Sequence, residues 1–513
     1  MLGETNDYRH IELVQNVGKP PTCCSRALAT CRRVGVSIWH VKRGLIVLLL
    51  CLALLSGSAV LTGAAVTQAE YEKPNIVYIV ADDMDENLLF EGMPATKEAV
   101  ADRGATLTDF NVTDSVCCPS RATALLGEYV HNHGVVDSTG PNGGYTRFLR
   151  EGHDGRTLGP MLRNQGYATA MVGKYLNEYG PKTDTARRVP PGWAYWFAVF
   201  NQKKYGWEAN EQGRVVRYGT SPAAYSTTAI FRKARSWIAK QDGPFFAHVS
   251  PIAPHSPYVD PPDHQREFAG ARSPSRLKPN FNEDVSDKPS HVLDNPALSK
   301  AARNAIDARH VHRARMTLAV DDTVKGIVDA LETSGELDNT YIFVTSDNGW
   351  QAGEHRIPSE KLYPYEESTR VGMLVSGPGI TPGTKVPQIT SNTDLYATFA
   401  DIAGKPEPRD GRSLLPLLRG EVPEGGWRER LLIENPAPPD NRNHASYFGL
   451  KDERWKYVEY AKGERELYDL YTDPYETENL AGQRSETEAN LSARLDALKN
   501  CSGDSCRTAE NGS

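Results

Sequence analysis

Short, nearly unbroken runs of apolar and β-branched residues recur along this chain, and four of them stop abruptly at polar side chains. Residues 75–81 run into Asp82 and Asp83, and residues 167–172 run into Gly173 and Lys174. Residues 245–250 lead through prolines to His255, and residues 340–346 lead into Asp347, Asn348 and Gly349. Runs of this length without alternation predict strands buried on both faces. In open α/β sheets a ligand site lies beyond the carboxyl ends of the strands. Any one of these endings alone reads as a turn, since Asp, Asn, Gly and Pro form turns anyway. Four endings with complementary chemistry predict one convergent site.

Helical periodicity fills the intervals. Residues 157–165 predict a helix stopped by Gly166, and residues 313–333 another stopped by Ser334 and Gly335. Leu318, Val324, Ile327, Val328 and Leu331 fall near one face of the second. Asp321 and Asp322 interrupt its pattern and read as solvated or structural, because no strand end presents them. Residues 256–300 are rich in Pro, Ser, Asp and Asn without a period, which predicts a long surface excursion beside His255, either a shaper of substrate choice or a mobile insertion. The pattern breaks again over residues 404–411. Beyond it, runs at 431–434, 447–450 and 455–458 predict an antiparallel sheet, and residues 489–498 a closing helix. The expected division is an N-terminal extension over 1–69, a catalytic domain over 70–404 and a smaller C-terminal subdomain over 405–513.

The chain has 513 residues, 39% hydrophobic and 24% charged, with a formal net charge of −7. That length fits a large α/β domain plus a smaller one, and an acidic chain without a basic stripe argues against a nucleic-acid partner. Residues 44–55 are an apolar run after Lys42 and Arg43, followed by small residues to Ala69. This order predicts an export signal cleaved near Ala69; the competing reading is a membrane anchor over residues 44–66. Of eight cysteines, Cys23, Cys24, Cys31 and Cys51 precede that point, while Cys501 and Cys506 bracket a short loop and predict a disulfide.

Chemistry concentrates at Cys117-Cys118-Pro119-Ser120-Arg121. Ala122, Leu125, Leu126 and Tyr129 follow at helical spacing, with Pro119 suited to the first helical position. A thiol at a helix start is expected to be acidified, and an anion docks there. Asp82, Asp83, Asp347 and Asn348 offer three carboxylates and an amide oxygen, a hard ligand set suited to Ca²⁺ or Mg²⁺.

The string Cys-x-Pro-Ser-Arg with Leu126-Gly127 resembles the sulfatase signature, and residues 117–133 resemble its N-acetylglucosamine-6-sulfatase branch. Similarity extends from Asn75 to Arg507, and residues 466–480 resemble the family's C-terminal signature. The resemblance implies an alkaline-phosphatase-like α/β sandwich: a large mixed central sheet flanked by helices, plus a C-terminal subdomain with an antiparallel sheet and a helix. It implies that Cys117 is oxidised to formylglycine by a formylglycine-generating enzyme, and that Asp82, Asp83, Asp347, Asn348 and the modified Cys117 bind one Ca²⁺. Its hydrate would attack the sulfur of a sulfate monoester. Arg121, Lys174 and Lys361 would hold the charged groups, and His255, with Lys361, would protonate the departing alcohol. The implied substrate is a sulfated carbohydrate, such as the 6-sulfate of N-acetylglucosamine in a glycosaminoglycan.

Two departures stand out. Many sulfatases carry a histidine two residues beyond the lysine matched to Lys174, where this chain has Leu176; Asn177 or His133 either substitutes or packs. Gly372 stands where relatives often have Pro. His131-Asn132-His133 spells an endonuclease tripeptide but lacks that scaffold. The rival readings are a phosphonate or phosphodiester hydrolase of the same superfamily and a non-catalytic binder of sulfated glycans.

Overall fold

The computed structural model describes residues 73–423, 425–436 and 446–511. The expected export signal or anchor, and Cys23, Cys24, Cys31 and Cys51, lie outside these residues. No helix among the described residues is long and apolar enough to cross a membrane.

The predicted runs form strands at the centre of one large sheet. In chain order its strands are β1 (Asn75–Ala81), β2 (Ala105–Leu107), β4 (Ala168–Lys174), β5 (Tyr195–Val199), β6 (Glu208–Glu211), β7 (Arg214–Arg217), β8 (Phe245–Ser250), β9 (Thr340–Ser346), β10 (Met373–Ser376) and β11 (Thr384–Val386). The spatial order is β11-β2-β10-β9-β1-β8-β4-β5-β6-β7. The five central strands, β9-β1-β8-β4-β5, pair parallel, and the antiparallel pairs lie outside them. A pair of short strands, β3 (Phe110–Asn111) and β12 (Thr390–Ser391), stands apart from it.

The central strands are apolar throughout because both faces are covered, as parallel sheets require. Side chains alternate along β1. Ile76, Tyr78 and Val80 join the core under the helices Cys117–Leu126, Leu158–Asn164 and Asp394–Ile402. Val77, Ile79 and Ala81 face the opposite core, which takes residues from Ser226–Ile238 and Lys300–Ser334.

The long helix starts at Lys300, thirteen residues before the expected position at Arg313 (313 − 300), with Ser299 accepting a hydrogen bond from Ala302 N as its N-cap. Its first three turns are mostly polar and only partly buried, so apolar periodicity does not reveal them. Asp321 does not interrupt it. The carboxylate is buried and accepts from the Ala95 and Thr96 amides and the Thr96 hydroxyl, so it caps a neighbouring turn. Asp322 is exposed and meets His264. Both are structural or solvated, as expected.

Strands β13 (Arg430–Asn435), β14 (Tyr447–Asp452), β15 (Trp455–Tyr460) and β16 (Arg465–Asp469) form an antiparallel sheet in sequential order, and helix Ser485–Leu498 packs in its core with the bonded pair Cys501–Cys506. This sheet grips the segment that follows Lys361. Lys456 Nζ donates to Pro364 O at 2.9 Å and pairs with Glu366 and Glu476, each at 2.7 Å. Lys451 adds a second contact to Glu366 at 2.9 Å, and Glu466 accepts from the hydroxyls of Tyr365, Tyr460 and Tyr468.

Removing one partner from a buried ionic set strands the others. Lys456→Met is expected to lower the unfolding free energy by about 3 kcal/mol, read as a fall in the urea midpoint. An unchanged midpoint contradicts this role for the ammonium.

Candidate active site

Parallel pairing aligns the carboxyl ends of the central strands, with Ala81 opposite Ser346 and Gly173 opposite Ser250. Asp82 and Asp83 follow β1, Lys174 ends β4, Ser250 ends β8, and Asp347 and Asn348 follow β9. Successive strand residues point to opposite faces, so two adjacent carboxylates could not share a site within a regular strand. Asp83 resolves this by taking the left-handed conformation, φ 64°. Both carboxylates then reach Cys117: its Sγ lies 3.7 Å from Asp82 Oδ1 and 3.8 Å from Asp83 Oδ1.

Cys117 opens the helix Cys117–Leu126, preceded by an extended Val116 and ended by left-handed Gly127. The helix therefore starts two residues earlier than expected, and Pro119 is its third residue rather than its first. The shift costs little, because the first-turn N–H groups have no helical partner and Pro lacks one anyway. Asp114 accepts from Val116 N at 2.7 Å and turns the chain into the helix.

The expectation of an acidified thiol is overturned. Every residue of this helix is buried, and burial pushes the Cys117 thiol up to about 12 despite Lys174 and Lys361 nearby. A helix start lowers a thiol's pKa when solvent shares the charge, and burial here outweighs it.

Three cations answer the three carboxylates. Lys174 Nζ lies 2.7 Å from Asp82 Oδ1 and 3.8 Å from Asp347 Oδ2. Arg121 Nε donates to Asp347 Oδ2 at 2.8 Å and its Nη1 to Ser250 Oγ at 2.6 Å. Lys361 Nζ contacts Asp83 Oδ1 and lies 2.8 Å from Cys117 Sγ. Burial would raise the Asp83 carboxyl, but Lys361 and His255 bring it down to about 2. For Asp347 burial wins over Arg121 and the carboxyl rises. His255 sits at the edge, with Nδ1 2.5 Å from Ser256 O and Nε2 3.7 Å from Asp83 Oδ2. The structure thus brings every residue singled out at this end of the sheet into one connected cluster.

The donor set fits a hard divalent cation. Asp82, Asp83 and Cys117, with His255, present ligand atoms within 4.8 Å of one another. Asp347 Oδ1 accepts from Asp83 N at 3.0 Å, and Asn348 Nδ2 donates to Asp83 Oδ1 at 3.0 Å. Asp82 Oδ2 and Asn348 Oδ1 are buried without a hydrogen-bond partner. Unmatched buried oxygens are rare, and a ring of them is what Ca²⁺ or Mg²⁺ takes up. A second grouping, His355, Glu367 and Glu476, already meets Lys278 and Lys456 and reads as an ionic joint.

Gly349 packs the loop that carries Asp347 and Asn348 against the segment after Lys361. A Cβ there would lie 2.1 Å from Glu367 O, and the Gly349 and Trp350 amides donate to Ser368 O and Glu367 O. His133 packs against the helix Cys117–Leu126. His133 uses both ring nitrogens, against Thr123 Oγ1 and Val135 N, while the Asn177 carbonyl accepts from Tyr145 N. Leu176 is core. His131 meets Glu434, and Asn132 meets Asp410, so this tripeptide pins the C-terminal region.

Sequence reasoning missed three supports. Ser250 holds Arg121, and the Ser120 hydroxyl donates to Asp347 O. Arg313 donates to Asp83 O at 2.8 Å and to Asp85 at 2.7 Å, and lies over the Trp350 ring. Ser250 was visible as a polar strand end, whereas Arg313 lies mid-helix without a local signal.

A buried thiol ringed by preorganised cations and oxygen ligands suits transfer of an anionic group such as sulfuryl or phosphoryl. Comparison with known proteins identifies which. The Sulfatase family model matches residues 74–405, and a model for the N-sulphoglucosamine sulphohydrolase C-terminal region matches residues 353–501. The chain is 34% identical over 481 residues to N-acetylglucosamine-6-sulfatase of Capra hircus, covering 85% of each. It is 33% identical over 504 residues to the Homo sapiens enzyme of that name, covering 90% of each. Among solved structures, a protein in complex with its substrate D-glucosamine-2-N,6-O-disulfate superposes with a TM-score of 0.71 at 22% identity, covering 86% of this chain and 99% of that one. The phosphonate monoester hydrolase of Agrobacterium radiobacter gives 0.65 at 21% identity, covering 83% and 95%. The fold is alkaline-phosphatase-like, and the chain belongs to the sulfatase family of sulfuric ester hydrolases.

Proposed function

We propose that this protein removes the 6-sulfate of N-acetylglucosamine residues in sulfated glycans, using a nucleophile made from Cys117. The observation that carries the reading is the placement of Cys117 between Asp82, Asp83 and Lys361. The substrate follows from relatives of that name, which match this chain along most of their length.

Sulfatases work with a metal ion and a formylglycine. A hydrated formylglycine at residue 117 would supply two hydroxyls on one carbon, one as nucleophile and one whose deprotonation would release sulfate, chemistry that a thiol lacks. Lys174 and Lys361 face the nucleophile and bind the anionic sulfate. Arg121 holds Asp347 and keeps the carboxylates in place. His255, with Lys361, donates a proton to the departing alcohol as the S–O bond breaks. Asp82, Asp83, Asp347 and Asn348, together with the modified Cys117, would hold Ca²⁺, which would supply positive charge beside the sulfate.

Cys117 is 4% exposed within a wholly buried helix. Its conversion by a formylglycine-generating enzyme therefore precedes folding. The same order fits an exported protein, as does the Cys501–Cys506 disulfide. Residues 70–404 carry the catalytic groups, and residues 405–513 act as their buttress.

A substrate panel tests the activity. N-acetylglucosamine 6-sulfate and its oligosaccharides are expected to turn over with kcat/KM at least about 100-fold above a phosphonate monoester; the reverse order supports the phosphonate hydrolase reading. Metal removal tests the ligand set. Chelation is expected to abolish turnover and lower Tm, with Ca²⁺ restoring both, and Asp347→Asn is expected to weaken Ca²⁺ binding at least about 10-fold in a calorimetric titration. A chelated protein with unchanged Tm and full turnover removes the metal from the account.

A further inference from the structure

Lys204 is a buried cation that the chemistry above does not use. It lies on the loop between β5 and β6, beyond the carboxyl end of β5, and is 1% exposed. Its described partners are main-chain carbonyls, with no carboxylate among them. Nζ donates to His255 O at 2.8 Å, to Gln202 O at 3.1 Å and, at the limit of a hydrogen bond, to Ile252 O at 3.5 Å. Burial lowers this ammonium to about 7, against the distant pull of Asp82.

Burying a lysine nitrogen with no carboxylate beside it is unfavourable relative to an apolar side chain of the same shape. Such a conflict with stability is expected where function demands it. Its surroundings show what is gained. The 251–257 loop is tied on one side to the catalytic strand, where Asp82 N donates to Ala253 O at 3.2 Å. Within the loop, His255 N donates to Ile252 O at 3.0 Å, and the ring Nδ1 lies 2.5 Å from Ser256 O. Ser256 O accepts a hydrogen bond from Nδ1–H, which leaves Nε2 facing the Asp83 carboxylate at 3.7 Å. Lys204 ties the other side of this loop. One lysine nitrogen gathers three carbonyls that a side chain with a single donor could not join at once.

We propose that Lys204 is a positioning residue for His255, fixing the imidazole where its Nε2 proton reaches the leaving alcohol oxygen. This rests on the reading of His255 as the proton donor. In that step the electron pair of the breaking S–O bond passes to the alcohol oxygen, the Nε2 proton joins it, and neutral imidazole remains. Lys204 touches neither substrate nor the reacting atoms, so its effect appears only where protonation of the leaving group matters.

Two sulfate esters separate positioning from a general structural role. N-acetylglucosamine 6-sulfate releases a basic alkoxide and needs the proton, whereas 4-nitrophenyl sulfate releases a stable phenolate and does not. Lys204→Met is expected to cut kcat on the sugar ester by at least about 10-fold, leaving kcat on the aryl ester within about 2-fold. Lys204→Gln, which keeps a donor, is expected to fall between wild type and Lys204→Met, and serves if the methionine variant does not fold. His255→Ala is expected to lose more on the sugar ester than on the aryl ester, and adding Lys204→Met to it should lower the sugar-ester rate no further. Equal losses on both esters, or losses that multiply in the double variant, overturn the proposal while His255 keeps its role. A His255→Ala variant that treats both esters alike overturns the reading of His255, and the proposal with it.

Discussion

Like charges crowd this molecule's centre, and their mutual repulsion is the constraint the rest answers. Two carboxylates 4 Å apart repel by about 4 kcal/mol at an effective dielectric of 20, and Asp82, Asp83 and Asp347 all converge on one buried point. Arg121, Lys174 and Lys361 offset that repulsion from three different elements: a helix, a strand end and a loop. Parallel strands are the economical way to deliver so many side chains to one spot, since each contributes its carboxyl end at the same level. The left-handed turn at Asp83 is where regular structure gives way so that neighbouring acids can share the site.

The C-terminal sheet belongs to this arrangement rather than hanging beside it. Lys361 comes from a segment with little regular structure of its own, and such a segment holds a catalytic side chain only if something rigid grips it. The grip is ionic and aromatic: Lys451 and Lys456 on Glu366, and Tyr365 on Glu466 among the hydroxyls of Tyr460 and Tyr468. Buried networks of this kind work when every member is paired, and they fix geometry more firmly than apolar packing does. On the other side, Arg313 ties the β1 ending and stacks over Trp350 beside the β9 ending, so both oxygen-bearing loops share one clamp.

Much of this was legible in the chain itself. The central strands were marked by apolar runs, because burial on both faces removes any alternation, and their polar endings pointed to the site. The C-terminal strands and the Cys501–Cys506 pair followed from local pattern and spacing. What stayed hidden depends on distance. The early turns of Lys300–Ser334 lack an apolar stripe, so periodicity does not mark them. The burial that raises the Cys117 thiol instead of acidifying it comes from elements far along the sequence. Arg313 and Lys204 act through main-chain carbonyls or other side chains, and such contacts leave no trace in a single sequence.

Cys117 is a thiol buried among carboxylates, and the function proposed above makes the working group at this residue an aldehyde formed before the chain folds. Peptide mass mapping of residue 117, run beside turnover on a sulfate ester for preparations matured to different extents, tests this most directly. Turnover is predicted to rise in proportion to the fraction of aldehyde at that residue and to vanish when all of it is thiol. A preparation carrying only thiol at residue 117 that hydrolyses the ester at the full rate would contradict the account.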